Sequence, residues 1–282
     1  MVNKSLALFL FVFALQADYR FSSEPIDVVI PCHAKDSEIL PLVIEGVKKH
    51  AHNVRRVIVI SNERLSDEAE WFDERLFPFT KYDAAMEILK DHAQAEEFIN
   101  SPNSRIGWIF QQLLKLYAPL VIPDISPNVL ILDADTILLK SIRFQDAAGA
   151  SLFNVGTEYH FPYFEHALRL LPSFKKVFPR YSGICHHMLF QKEVLEDLFA
   201  EIKAMHAVEP WQALMRCIDV EQIGGSSFSE YEIYFNFIFS HTTKAKIRPL
   251  RWENVGDVNR KKYESRGLDY ISCHSYKREP NG

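Results

Sequence analysis

Two acids separated by one small residue, Asp133-Ala134-Asp135, interrupt the most apolar stretch of the sequence: Val129-Leu130-Ile131-Leu132 precedes them and Thr136-Ile137-Leu138-Leu139 follows. A run of β-branched and aliphatic residues after Pro127-Asn128 predicts a strand buried on both faces of a parallel sheet. Carboxylates at the end of such a strand are costly unless something positive stands beside them. Side chains two apart on a strand share a face, so the spacing predicts that Asp133 and Asp135 converge on one point, with Ala134 leaving room between them. A hard divalent cation, Mn²⁺ or Mg²⁺, suits that point. It fills its remaining positions with water and phosphate oxygens, which makes a nucleoside diphosphate the natural guest.

The rest of the chain supplies elements that could place other groups around this pair. Residues 26–31 read as a buried strand, residues 39–50 as a helix, and Val57-Ile58-Val59-Ile60 as the next strand, which together make a βαβ unit. Loops at the carboxyl ends of parallel strands gather where ligands bind, so His33, Asp36 and residues 61–64 are placed where a nucleotide base would sit. The unit has no G-x-G-x-x-G turn, which argues against a dinucleotide-binding dehydrogenase. Residues 68–100 read as a peripheral segment with helical spacing over 83–99. A helix over 105–118, carrying Ile109, Leu113, Leu116 and Tyr117 on its apolar side and Lys115 along it, is expected to stop at Pro119.

Beyond the acid pair, Tyr181-Ser182-Gly183-Ile184-Cys185-His186-His187-Met188-Leu189-Phe190 reads as a small-residue turn entering a strand. Consecutive histidines there point to opposite faces, so one of them enters a site, and His187 is taken as that residue. Ser229 predicts a helix N-cap with Glu230 and Glu232 in the first turn, where the dipole favours acids. An acid at that position could accept a proton from an acceptor hydroxyl, Glu230 first and Glu232 second. Near the C-terminus a short strand-like run ends in His274, with Lys277 close behind.

A chain of 282 residues that is 48% hydrophobic can bury one large α/β core. Its net charge of −5, with Lys and Glu intermixed, excludes the electrostatic footprint of a nucleic-acid binder. Four scattered cysteines lack C-x-x-C spacing and read as buried thiols. Residues 1–24 form an N-terminal unit, in which Lys4 and an apolar stretch over 6–15 have the layout of a signal peptide or anchor. That layout predicts membrane association or entry to the secretory pathway, the alternative being a cytoplasmic protein.

The strand ending in D-x-D is similar to that of nucleotide-sugar glycosyltransferases of the GT-A fold. Leu114-Lys115-Leu116-Tyr117-Ala118-Pro119 resembles the helix before that strand in glycogenin-like transferases. The order of a Q-Q-x-x-K-L helix, a D-x-D-T strand, an H-H-M-L-F strand and an S-E-Y-E helix resembles a bacterial family with this fold. The resemblance implies a Rossmann-like three-layer α/β sandwich with a mostly parallel central sheet over residues 25–282. It implies a metal-dependent transferase that moves sugar from a nucleoside diphosphate-sugar, UDP-sugar favoured, to a glycan, lipid or protein acceptor. Asp133, Asp135 and His274 would hold the metal, and Lys115 and Lys277 the diphosphate. Two other classes share parts of the pattern. A haloacid-dehalogenase-like phosphatase would use Asp133 as nucleophile, and a non-catalytic carbohydrate-binding protein would keep the fold alone.

Overall fold

Alternation of burial along the central strands sets the architecture. In β1 (Ile26–Pro31) and β4 (Asn128–Leu132) every residue is buried. Val29 and Ile131 join the core on one side of the sheet, while Val28, Ile30, Leu130 and Leu132 join the core on the other. Such strands need a layer on each face. The structure, a computed structural model, describes residues 19–278, so the N-terminal apolar segment over 6–15 lies outside the described residues. Among the described residues no helix is long and apolar enough to cross a membrane.

After β1 come α1 (Leu40–His50), β2 (Val54–Ser61) and β3 (Glu70–Asp73). Two short helices, α2 (Lys81–Leu89) and α3 (His92–Asn100), lead to the long α4 (Ile106–Val121), which feeds β4. Then follow β5 (Thr136–Leu138), β6 (Leu152–Phe153), α5 (Phe161–Leu170), β7 (His187–Gln191), α6 (Lys192–His206), α7 (Pro210–Arg216) and α8 (Glu230–His241). The chain closes with β8 (Lys246–Ile247), β9 (Trp252–Asn254), α9 (Arg260–Ser265) and β10 (Tyr270–Ser272). The main sheet has the order β3-β2-β1-β4-β7, parallel except for β7, which runs antiparallel to β4 with Leu132 opposite His187. One face carries α4, α6 and α8; the other carries α1 and a small sheet, β5-β10-β9. This is the expected three-layer α/β arrangement with a mostly parallel centre.

Several local expectations are corrected. The helix expected over 83–99 is two helices, because Lys90 takes a left-handed φ of 58° as C-cap of α2 and the Asp91 side chain caps α3. Strand β3 interrupts the segment read as helical; Glu70-Trp71-Phe72-Asp73 lies at the sheet edge and has no apolar run to announce it. Helix α4 continues through Pro119, whose missing N–H costs one bond in the last turn, and Ile122 N closes on Ala118 O at 3.2 Å. Most important, the acid pair is not on a strand. β4 ends at Leu132, Thr136 N bonds Asp133 O at 3.0 Å, and β5 leaves in a different sheet. Asp133 and Asp135 therefore stand on a turn and do not share a strand face.

Gly183 fixes how the loop before β7 meets α8. A Cβ there would lie 2.6 Å from the Cβ of Phe235, whose position is set by the helix backbone. Gly183→Ala is expected to lower stability by about 1–3 kcal/mol, as overpacking does. Urea unfolding of the variant beside the wild type measures it, and an unchanged midpoint would contradict this packing.

Candidate active site

Helix α4 is apolar around most of its circumference, yet it buries Lys115, only 3% exposed. The ammonium lies 2.6 Å from Asp133 Oδ1 at the end of β4 and 2.8 Å from Glu230 Oε1 at the start of α8. Below it the ring of Tyr231 sits 4.5 Å away, and the Tyr231 hydroxyl donates to Asp133 Oδ1 at 3.1 Å. Burial alone would lower the pKa of Lys115, but the two carboxylates outweigh it and raise it. The two acids respond differently. Burial works against the charge of Asp133, yet Lys115 and a hydrogen bond from His186 hold its pKa well below the usual range. Glu230 goes the other way, because burial exceeds what Lys115 returns and its pKa is raised. Lys115 is thus the shared cation of two acids whose pKa values move in opposite directions.

Asp135 has separate company. Ser272 Oγ donates to its Oδ1 at 2.9 Å, and His274 Nδ1 approaches its Oδ2 at 2.9 Å. Both partners come from β10 or the residues just after it, across the small sheet from β5. Burial and the neighbouring charge of Asp133 resist ionisation of Asp135, but the His274 hydrogen bond together with the charges of His274 and His186 outweighs them, so its pKa falls. His186, at a left-handed φ of 64° immediately before β7, turns its Nδ1 to within 3.1 Å of Asp133 Oδ2. Its ring centroid lies 4.9 Å from that of His274. Two Asp–His pairs therefore stand side by side, each imidazole oriented through Nδ1 by its carboxylate.

These groups line one cavity of about 540 Å³ at the carboxyl ends of β1 and β4, where ligands of open parallel sheets bind. His33, Asp36, Lys115, Asp133, Asp135, Glu230 and His274 all border it. Asp36 is held there by Arg278 at 2.6 Å, and His33 Nδ1 accepts the backbone N–H of Lys35. Three expected residues stand elsewhere. His187 opens β7 and is packed between Phe144 and Tyr270 in the core, where burial lowers its pKa to about 3, so His186 takes the cavity position instead. Glu232 faces away, bonded to Ser182 Oγ and to Asn236 Nδ2. Lys277 is exposed and is not among the residues bordering the cavity. Sequence reasoning also missed Arg105 and Trp108, which border the cavity from the start of α4, with Tyr163 beside them at the start of α5.

The donor types, two carboxylates and two imidazoles on one cavity, fit a divalent cation. Among the described residues, however, no three His, Cys, Asp or Glu side chains converge as a ready-made metal site. The turn explains this, since it sends Asp133 to Lys115 and Asp135 to His274. A cation that keeps waters and phosphate oxygens needs only one or two protein ligands. Asp135 with His274 meets that requirement better than Asp133, whose oxygens already accept three protein hydrogen bonds.

Lys115→Met leaves Asp133 and Glu230 buried without their cation, and is expected to cost about 3–5 kcal/mol. Without Lys115 both folded-state pKa values rise above their unfolded values. The variant's deficit should therefore shrink as pH falls through the raised values and be greatest at neutral pH and above. Adding Glu230→Gln should recover part of the loss, as chemical denaturation across pH would register.

Comparison with known proteins adds a family. No curated protein matches the chain. Among solved structures, the crystal structure of mouse xyloside xylosyltransferase 1, apo form, matches at 12% identity and a TM-score of 0.44, over 91% of this chain and 99% of that one. A family model, described as a family of unknown function (DUF6492), matches residues 23–253, from before β1 into β9. The chain belongs to that family.

Proposed function

We propose that this protein is a metal-dependent glycosyltransferase of GT-A type, moving a sugar from a nucleoside diphosphate-sugar, a UDP-sugar by preference, to a glycan, lipid or protein acceptor. The observation that carries the reading is one cavity that joins two kinds of acid. Asp135 is ionised and backed by His274; Glu230 is buried with a raised pKa beside Lys115. Pairs of acids pushed to opposite protonation preferences suit a reaction that needs both a charge partner and a proton acceptor.

His33, Asp36, which Arg278 holds in place, and Asn62 offer the nucleoside a wall of polar groups. Asp135 and His274 would hold Mn²⁺ or Mg²⁺ against the diphosphate, and the ion would supply a Lewis acid that takes up charge on the departing group. Lys115 keeps Asp133 ionised and fixed, and so holds the turn that presents Asp135. Glu230, whose carboxylate burial makes more basic, accepts in its ionised form the proton of the acceptor hydroxyl in an inverting reaction.

Hydrolysis of a panel of nucleotide-sugars in Mn²⁺, with and without EDTA, tests the reading. Donor cleavage should require metal and be lost in Asp135→Ala. Glu230→Gln should lower the transfer rate by about 10²- to 10⁴-fold, the usual contribution of a general base. The wild-type rate should rise with pH through the elevated pKa of Glu230, because the carboxyl must be ionised to accept a proton. Cleavage of no donor, together with no nucleotide-dependent gain in thermal stability, would sink the proposal; phosphate release through a phosphorylated Asp133 would replace it.

A further inference from the structure

The acids bordering the cavity each have a basic partner. Asp36 is bonded to Arg278, Glu74 stands 3.8 Å from Lys81, Asp133 and Glu230 share Lys115, and Asp135 has His274. Of the basic side chains there, Lys81 and Lys115 are thereby matched, and Lys35 is exposed to water. Arg105 is different. It is only half-buried, yet among the described residues no carboxylate lies within ion-pairing distance of it. Its guanidinium is laid 4.8 Å over the Trp108 ring and held by two long hydrogen bonds, 3.4 Å to Gly225 O and 3.3 Å to Ser226 Oγ. Burial lowers its pKa, against which only Tyr163 and no carboxylate acts. A flat cation fixed on an aromatic face, partly dehydrated and without a counter-ion, is preorganised for a two-pronged contact with an oxyanion.

The position says which part of a substrate brings that oxyanion. Arg105 stands at the start of α4 against the 225–226 loop, whereas Asp135 and His274 come from the small sheet of β5 and β10. Tyr163, which borders the same end, lies in electrostatic reach of both Arg105 and Glu230. Arg105 is therefore on the side of the proton acceptor. We propose that Arg105, stacked on Trp108, binds a carboxylate or phosphate carried by the acceptor, so that the acceptor is an acidic sugar or a phosphorylated one. This rests on the cavity being the glycosyltransferase substrate site, and it narrows the acceptor class.

Calorimetric titration of the full chain with glucuronic acid, glucose 6-phosphate and glucose tests it, with UDP plus Mn²⁺ as a separate donor probe. At least one charged sugar should bind about tenfold or more tightly than glucose, the scale of one hydrogen-bonded ion contact. Arg105→Gln should erase that difference, Arg105→Lys should keep part of it, and both should leave UDP binding unchanged. Thermal unfolding of each variant verifies that it folds. Equal or undetectable binding of charged and neutral sugars by the wild type overturns the assignment. So does a fall in UDP affinity in Arg105→Gln that matches the fall for the charged sugar, because the oxyanion would then be the donor's. If the wild type binds no UDP but prefers a charged sugar through Arg105, the anion site stands and the glycosyltransferase reading falls.

Discussion

The ammonium of Lys115 is the point on which the site's geometry depends. It joins three elements distant in sequence: carried on the middle of α4, it meets Asp133 at the end of β4 and Glu230 and Tyr231 in the first turn of α8. A buried cation is tolerated only when its partners are well placed, because the cost of dehydration must be offset by short contacts on more than one side. That requirement acts as a constraint on the backbone: α4 and α8 cannot slide along the sheet without separating a charge from its partner. The apolar surface of α4 gives the packing its strength, and the one lysine gives it register. Tyr231, placed under the cation and bonded to Asp133, ties the ring to the same point.

From that constraint follows the unequal character of the acids. A single cation between two carboxylates cannot hold both equally. Asp133 has Lys115, Tyr231 and His186, and keeps its charge against burial. Glu230, 1% exposed, has only its share of Lys115 and the start of its helix, and is displaced toward the protonated form. Asp135, on the same turn, feels the charges of Asp133 and His186 but takes its hydrogen bonds from Ser272 and His274, at β10 and just after it. Three acids within one cavity thus have three different environments, although Asp133 and Asp135 are only two residues apart.

Much of this was legible in the sequence wherever one residue's burial settles its neighbours' conformation. The apolar runs over 28–31, 57–60 and 129–132 announced a parallel sheet with both faces covered, and Ser229 announced α8, whose Glu232 N–H it caps at 3.3 Å. Asp133, Asp135 and Glu230 could be singled out because acids at the ends of buried elements need partners, and Lys115 and His274 through the resemblance to glycosyltransferases. What failed was anything that depended on a single dihedral or on an edge. Strand periodicity carried through Asp133-Ala134-Asp135 predicts a shared strand face, whereas a turn there brings both acids to one cavity with different hydrogen-bond partners. The same periodicity could not say which of His186 and His187 faces inward; the left-handed φ at His186 decides it. Strands β6 and β8, two residues each, leave no pattern to read. Arg105 and Trp108 carried a weak signal, an arginine and an aromatic three apart at the start of a helix, a spacing that places them on one face.

The cavity is built from two kinds of wall, and they differ in how freely they can vary. The sheet side, β4 with its turn and β10 with His274, is held by backbone pairing, so Asp135 and His274 are fixed relative to each other by the same ladder that holds Thr136 opposite Ser272. The other side is made of helix starts, at Arg105, at Tyr163 and at Ser229, joined to the sheet through loops. Charge chemistry common to any substrate belongs on the rigid wall, where a fraction of an ångström matters. Selection among substrates belongs on the loop-borne wall, where one side chain can be exchanged without disturbing a hydrogen-bond ladder. Arg105 sits on that second wall, bonded to a loop backbone and an aromatic ring but to no acid, and so its charge remains for the substrate to use.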